Sequence, residues 1–128
     1  TPEYAANKKA EMSGDEAVYT HSRGLTQTEA EAILAKEQID SEELEALIEA
    51  KSLGMVNFNL LDVREWMEYQ SGYINGVDHL VPTTSFHPSL QEANLDPKVS
   101  VIVYCHVGSR SAYCQRLLGD MGFKHVSN

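Results

Sequence analysis

Cysteine is scarce: Cys105 and Cys114 are the only two in 128 residues, too few for a disulfide framework. Their C-x8-C spacing has no second pair to complete a tetrahedral zinc site. The five histidines are scattered and no H-x3-H pair occurs, so neither zinc nor any other metal centre is expected. Long apolar runs are also missing. The longest, Val99 to Cys105, is strand-sized and broken by Ser100, far below the ~18 residues of a membrane span. Positive charge is in deficit, with 10 Lys and Arg against 19 Asp and Glu and a net charge of -9. Such a chain repels phosphate backbones and anionic lipid, which argues against nucleic acid or a membrane as partner. Residues 1–54 hold twelve acidic and five basic side chains, and residues 55–128 hold seven and five, so the excess reads as a solvated helical face in the first part. Few cysteines and no visible signal peptide fit a cytoplasmic setting. The bacterial periplasm is the alternative if Thr1 follows a removed leader.

What remains is an ordinary globular composition, 42% hydrophobic and 23% charged, at the length of about one domain. Residues 1–24 are polar, lack periodicity and read as an arm. Thr26 with Glu29, and Asp40 with Glu43, are two capping boxes, each followed by apolar positions three and four residues apart. These are Ala30, Ile33 and Leu34, then Leu44, Leu47 and Ile48, with Ile39 set to staple Leu44 and Gly54 placed to end the second helix. From Val56 the period shortens to two, predicting a strand through Val63. A short helix over 65–71, ended by Gly72, comes next. Tyr73 to Val77 and His79 to Val81 read as further strand pieces, and 83–98 as loop with a short helix around Ser89 to Ala93, because Pro88 and Pro97 interrupt it. Val99 to Val103 is branched on both faces, as a central buried strand requires. A helix to about Asp120, stopped by Gly122, and a strand over Phe123 to Ser127 close the chain. Strands alternating with helices mean an α/β fold with a largely parallel sheet and helices on both faces.

The chemistry is concentrated in Val101-Ile-Val-Tyr-Cys-His-Val-Gly-Ser-Arg-Ser. A buried strand ends, a turn with one glycine follows, and a helix opens at once. Ligands of open α/β sheets bind beyond the carboxyl ends of the strands, where Cys105 stands. Backbone N–H groups at the helix start favour negative charge, and Arg110 adds to them. A thiol pKa falling from roughly 8.5 to near or below 7 follows, enough for a nucleophile at neutral pH. The competing reading is a small buried hydrophobe at a strand end. Cys114, beside Leu117 and Leu118 within the helix, reads as core rather than as a resolving thiol. His106 either steers an anion or fills the turn. His21, His79, His87 and His125 carry no assigned role, and Trp66 reads as a packing or rim residue.

Leu60-Leu-Asp-Val-Arg-Glu, Gly72-Tyr-Ile-Asn-Gly-Val and Val103-Tyr-Cys-His-Val-Gly-Ser-Arg-Ser, in that order, resemble the rhodanese-like sulfurtransferase family. Leu117, Leu118, Gly122, Phe123 and Val126 match its closing helix and strand. Tyr73 and Asn75 stand where the family commonly has His and Pro. The resemblance implies an arm with one helix over 1–38 and a rhodanese-like domain over 39–128. The family usually continues past the last strand into a Gly-Gly turn and a Trp-bearing helix, so either the domain is truncated at Asn128 or the fold closes differently. It also implies that Cys105 carries a sulfane sulfur as a persulfide, without cofactor. His106, Val107, Gly108, Ser109 and Arg110 would form the cradle, and Asp62, Arg64 and Ser111 would support it. Gly108 suits the cradle because it is free of the Cβ restriction on φ. Arg110 would attract a small anionic donor such as thiosulfate, a polysulfide or a persulfide, and a thiol or cyanide-like acceptor would remove the sulfur. A catalytically silent binding module is the alternative. A related phosphatase or arsenate reductase is disfavoured because those enzymes place five residues between Cys and Arg, and this chain places four.

Overall fold

The computed structural model describes residues 24–106 and 108–128, so the arm expected over 1–24 lies almost wholly outside the described residues. The chain divides into two compact units, Thr1–Val56 and Asn57–Asn128. In the first, both capping boxes form. Helix α1 (Gln27–Leu34) opens at Thr26, whose hydroxyl accepts from the Glu29 N–H at 3.1 Å while the Glu29 carboxylate accepts from the Thr26 N–H at 2.8 Å. Helix α2 (Ser41–Ser52) repeats the exchange between Asp40 and Glu43 at 2.8 and 3.0 Å. Each box satisfies donors that the first helical turn leaves unpaired. Ala30 and Leu34, and Leu44, Ala46, Leu47 and Ala50, form the buried faces of the two helices. Beyond α2, Gly54 takes φ +77, a left-handed conformation that ends the helix without Cβ strain.

The second unit is a sheet of four parallel strands in the order β2-β1-β3-β4 among the described residues. They are β1 (Asn59–Asp62), β2 (His79–Leu80), β3 (Val101–Tyr104) and β4 (Val126–Ser127). Helix α3 (Trp66–Ser71) follows β1. A 3-10 turn (Thr83–Ser85) and α4 (Phe86–Ala93) follow β2, and α5 (Ser109–Asp120) joins β3 to β4. In register, Leu60 pairs with Ile102, Leu61 with Val103 and Asp62 with Tyr104. Side chains alternate across a sheet, so one face carries Leu61, Val63, Val101 and Val103. That face packs with Val81, Phe86, Leu90, Cys114, Leu118 and Phe123 into the core. On the other face Leu60 and Ile102 are equally buried. Burial on both faces explains the unbroken apolar run Val101 to Val103 of β3.

Three expectations change. The strands are shorter than the apolar runs suggested, with two residues each in β2 and β4. Tyr73 to Val77 is a turn, closed by the Val77 N–H donating to the Ile74 carbonyl at 3.1 Å. The reason lies at Asp78, whose N–H donates to the Leu60 carbonyl at 2.9 Å while its carboxylate accepts from the Leu60 N–H at 2.8 Å. A side chain thereby takes the ladder position that a longer β2 would fill. Finally, α4 begins at Phe86 and includes Pro88, because a proline in the first turn removes an N–H that has no helical partner anyway. Asn94, left-handed at φ 52, ends it. No described helix is long and apolar enough to cross a membrane.

Candidate active site

Strand β3 delivers Cys105 to the carboxyl edge of the sheet, half-buried, where the chain turns into α5. Gly108 caps that helix at φ 92, ψ -19. A Cβ built there would meet no atom within 4 Å, so glycine serves the backbone conformation rather than a lack of space. This turn aims two donors at the sulfur. The Gly108 N–H lies 3.0 Å from Sγ and the Ser111 N–H 3.3 Å. Hydrogen bonds onto a sulfur from fixed N–H groups favour the thiolate. The Ser111 hydroxyl, wholly buried, is 3.4 Å from Sγ, 3.1 Å from the Gly108 carbonyl and 2.5 Å from Asn128 Oδ1. It accepts from the Cys105 thiol, and its one proton serves the Gly108 carbonyl or Asn128 Oδ1.

Of the five loop residues assigned to the cradle, Gly108 supplies an N–H to the sulfur, and so does Ser111, expected only to support it. His106 and Ser109 are exposed, and Val107 lies outside the described residues. Arg110 is paired with a carboxylate. Its Nη1 and Nη2 pair with Oε1 and Oε2 of Glu68 at 2.7 and 2.9 Å. Glu68 is anchored from a second side, because its Oε1 also accepts from the Glu65 N–H at 3.0 Å in the capping box of α3. These bonds hold the Glu68 carboxyl down at about 2, the Arg110 guanidinium being the largest cause, and the same pair raises Arg110.

A cleft of about 290 Å³ opens beside Cys105, lined by Arg64, Gly72, Tyr73, Ile74, Tyr104 and His106. Its far wall is tied down through Asp62, which has no exposed surface. The Asp62 carboxylate accepts from the Arg64 backbone N–H at 2.9 Å, from Arg64 Nε at 3.0 Å and from Nη2 at 2.7 Å. Tyr104, its register partner, donates to it at 2.8 Å. Arg64 Nη2 reaches on to the Gly72 carbonyl at 2.6 Å, and the Tyr104 hydroxyl accepts from the Ile74 N–H at 3.2 Å. One buried carboxylate therefore fixes both ends of the turn that carries Tyr73. Burial is the main cause pushing the Tyr104 phenol up to about 12, so it remains a neutral donor. The hydrogen bond that Arg64 donates to Asp62 raises the Arg64 guanidinium.

Trp66 and Tyr69 of α3 and Tyr73 just beyond it stack in series toward this cleft, with centroid separations of 6.0 and 4.4 Å. Trp66 is exposed. Cys114 is buried in the core with Thr83 Oγ1 at 3.8 Å, and burial pushes its thiol up, opposite to what a nucleophile needs. No cluster of three or more His, Cys, Asp or Glu side chains able to hold a metal occurs among the described residues. Tyr104, Glu68 and Asn128 were not anticipated. Tyr104 had a signal in a polar aromatic ending an otherwise apolar strand, and Glu68 had one in the Glu65-x-x-Glu68 spacing of a cap.

Comparison with known proteins supplies the relationship. YrkF of Bacillus subtilis, named as a candidate sulfur carrier protein, is 33% identical over 93 residues, 73% of this chain and 42% of its own length. Thiosulfate sulfurtransferase PspE of Escherichia coli is 31% identical over 68 residues, 53% of this chain and 64% of its own length. The chain thus spans less than two thirds of either relative. Among solved structures, the rhodanese-like domain of the Anabaena sp. Alr3790 protein superposes with a TM-score of 0.58 at 26% identity, covering 72% of this chain and 66% of that one. A polysulfide-sulfur transferase from Wolinella succinogenes shares the fold at a TM-score of 0.58 and 23% identity, over 80% of this chain and 74% of its own. The residue pattern of the rhodanese-like domain extends from 40 to 128, taking in α2, the whole parallel sheet and the cysteine turn. The chain belongs to the rhodanese-like domain family.

Proposed function

We propose that this domain is a sulfurtransferase in which Cys105 takes a sulfane sulfur from a small anionic donor and passes it to a thiophilic acceptor. The observation that carries the reading is the pair of backbone N–H groups, from Gly108 and Ser111, at 3.0 and 3.3 Å from a cysteine sulfur that lines an open cleft. Such donors stabilise negative charge on sulfur in the attacking thiolate, and fixed N–H groups need no reorganisation as the charge moves. With thiosulfate, the thiolate attacks the outer sulfur, the S–S bond to the sulfonate breaks with its electron pair, and sulfite leaves. Cys105 then holds a persulfide anion. An acceptor thiolate or cyanide attacks the terminal sulfur, and the Cys105 thiolate is regenerated. No cofactor enters this sequence. The relatives named for sulfur carriage and thiosulfate sulfur transfer support the class of donor and acceptor.

The test is mass spectrometry of the intact chain after incubation with thiosulfate, followed by peptide mapping. One sulfur, about 32 Da, is expected on Cys105 and should disappear on addition of cyanide. An unmodified protein, or a sulfur carried by Cys114, would overturn the assignment.

A further inference from the structure

Two arginines stand near the cleft, and they are held in different ways. Arg64 is locked: its partner Asp62 is fully buried, its own side chain is 14% exposed, and it is tied to Gly72 as well. Arg110 is held by a carboxylate in contact with water, the two side chains being 30% and 37% exposed. Charges so exposed are screened by water, so this pair exchanges with an incoming anion more readily than the buried one. Arg110 also belongs to the cradle segment, one residue before the Ser111 N–H that touches the sulfur. Glu68, in contrast, is placed by its helix cap and stays ionised throughout the neutral range. Glu65 adds a second carboxylate close by, fixed to the Thr84 hydroxyl at 2.6 Å. The guanidinium that would receive an anion therefore already holds one, with another carboxylate beside it.

We propose that Glu68 is the residue that sets donor selectivity, acting as a resident counter-anion that an incoming donor must displace from Arg110 before its negative group can be held beside Cys105. Both terminal nitrogens of Arg110 are committed to Glu68 at 2.7 and 2.9 Å, so a donor with two acceptor oxygens replaces the carboxylate like for like. A donor without an anionic group gains nothing from Arg110 and does not compete. The pair thus penalises anions relative to uncharged reagents, and Glu68 is a positioning residue acting through Arg110. The reading of donors rests on the sulfurtransferase proposal, but the electrostatic device does not.

The experiment separates the two. Alkylation of Cys105 by iodoacetate and by iodoacetamide uses the same carbon and leaving group and differs in charge alone. Peptide mapping assigns the product to Cys105 rather than to buried Cys114. Glu68→Gln preserves the capping geometry, since glutamine also serves at that position. It should raise the iodoacetate-to-iodoacetamide rate ratio about two- to fivefold, the span of one screened charge pair. Arg110→Ala should lower the ratio, and in the double variant the gain from Glu68→Gln should vanish. With thiosulfate, Glu68→Gln should lower KM more than it changes kcat. An unchanged ratio in Glu68→Gln overturns the proposal. So does a rise of equal size in the Arg110→Ala background, which would mean that Glu68 repels anions directly. Failure of wild-type protein to take up sulfur would refute the sulfurtransferase reading and leave the alkylation ratios to decide this one.

Discussion

Replacing Asp62 by alanine removes the group on which the cleft wall depends, and the structure sets the size of the effect. The carboxylate has no exposed surface and accepts from four donors, the Arg64 N–H, Nε and Nη2 and the Tyr104 hydroxyl, at 2.7 to 3.1 Å. Truncation leaves a guanidinium that is 14% exposed without its counter-charge. Removing one partner of a buried ion pair costs about 3–5 kcal/mol, against a total stability of about 5–15 kcal/mol for domains generally. Urea unfolding followed by circular dichroism should show the unfolding free energy falling by that amount, through a lower midpoint at unchanged slope. Tyr104→Phe removes a single hydroxyl, leaves the Ile74 N–H without its acceptor, and should cost about 1–3 kcal/mol. Asp62→Ala combined with Arg64→Met should recover part of the loss, because the uncompensated charge disappears with the arginine. A loss below about 1 kcal/mol for Asp62→Ala would refute the reasoning, since a mere surface-type pair is worth no more than that. A double variant no more stable than the single one would do the same.

Cys105→Ser should abolish sulfur transfer to cyanide, whereas Cys114→Ala should retain most of it and lose about 1 kcal/mol of stability through the small cavity it leaves, which activity assays and thermal melts will show. Gly108→Ala should cost about 1–2 kcal/mol, because φ 92 is strained for any residue with a Cβ, and should slow alkylation of Cys105 as the N–H moves away from the sulfur. Glu68 has a folded pKa near 2, below its ordinary value of 4.5, so its contribution is complete above about 4.5 and is lost as pH falls toward 2. Stability of wild type and Glu68→Gln measured between those limits should therefore converge as the pH drops, and a constant difference would contradict the pairing. Wild-type protein should leave p-nitrophenyl phosphate untouched, because four residues between Cys105 and Arg110 make a tighter turn than the five of the related phosphatases; turnover dependent on Cys105 would refute the loop-length argument.

What the sequence determined by itself is local or periodic. The caps at Thr26 and Asp40 close over three residues, so the spacing alone specifies their hydrogen bonds. The β-branched run at Val101 to Val103 marks the buried central strand, since nothing else accepts apolar side chains on both faces over so few residues. Cys105 and Gly108 stand out for the same reason: a strand end, a left-handed glycine and a helix start are written consecutively. Tertiary structure decided the ends of β2 and β4, because a strand exists only where a neighbour offers ladder partners, and at Asp78 a side chain takes that place. It also decided which arginine does what. Asp62 to Tyr104 and Glu68 to Arg110 each bridge 42 positions of chain. No periodicity reaches across that separation, and both contacts are set by the parallel register of β1 against β3 and by the placing of α3 beside the cysteine turn. Cys105 and Gly108 were legible because backbone geometry demands particular residue types there. The partner of Arg110 was not, because a charge pairs with whatever opposite charge the folded chain brings to it.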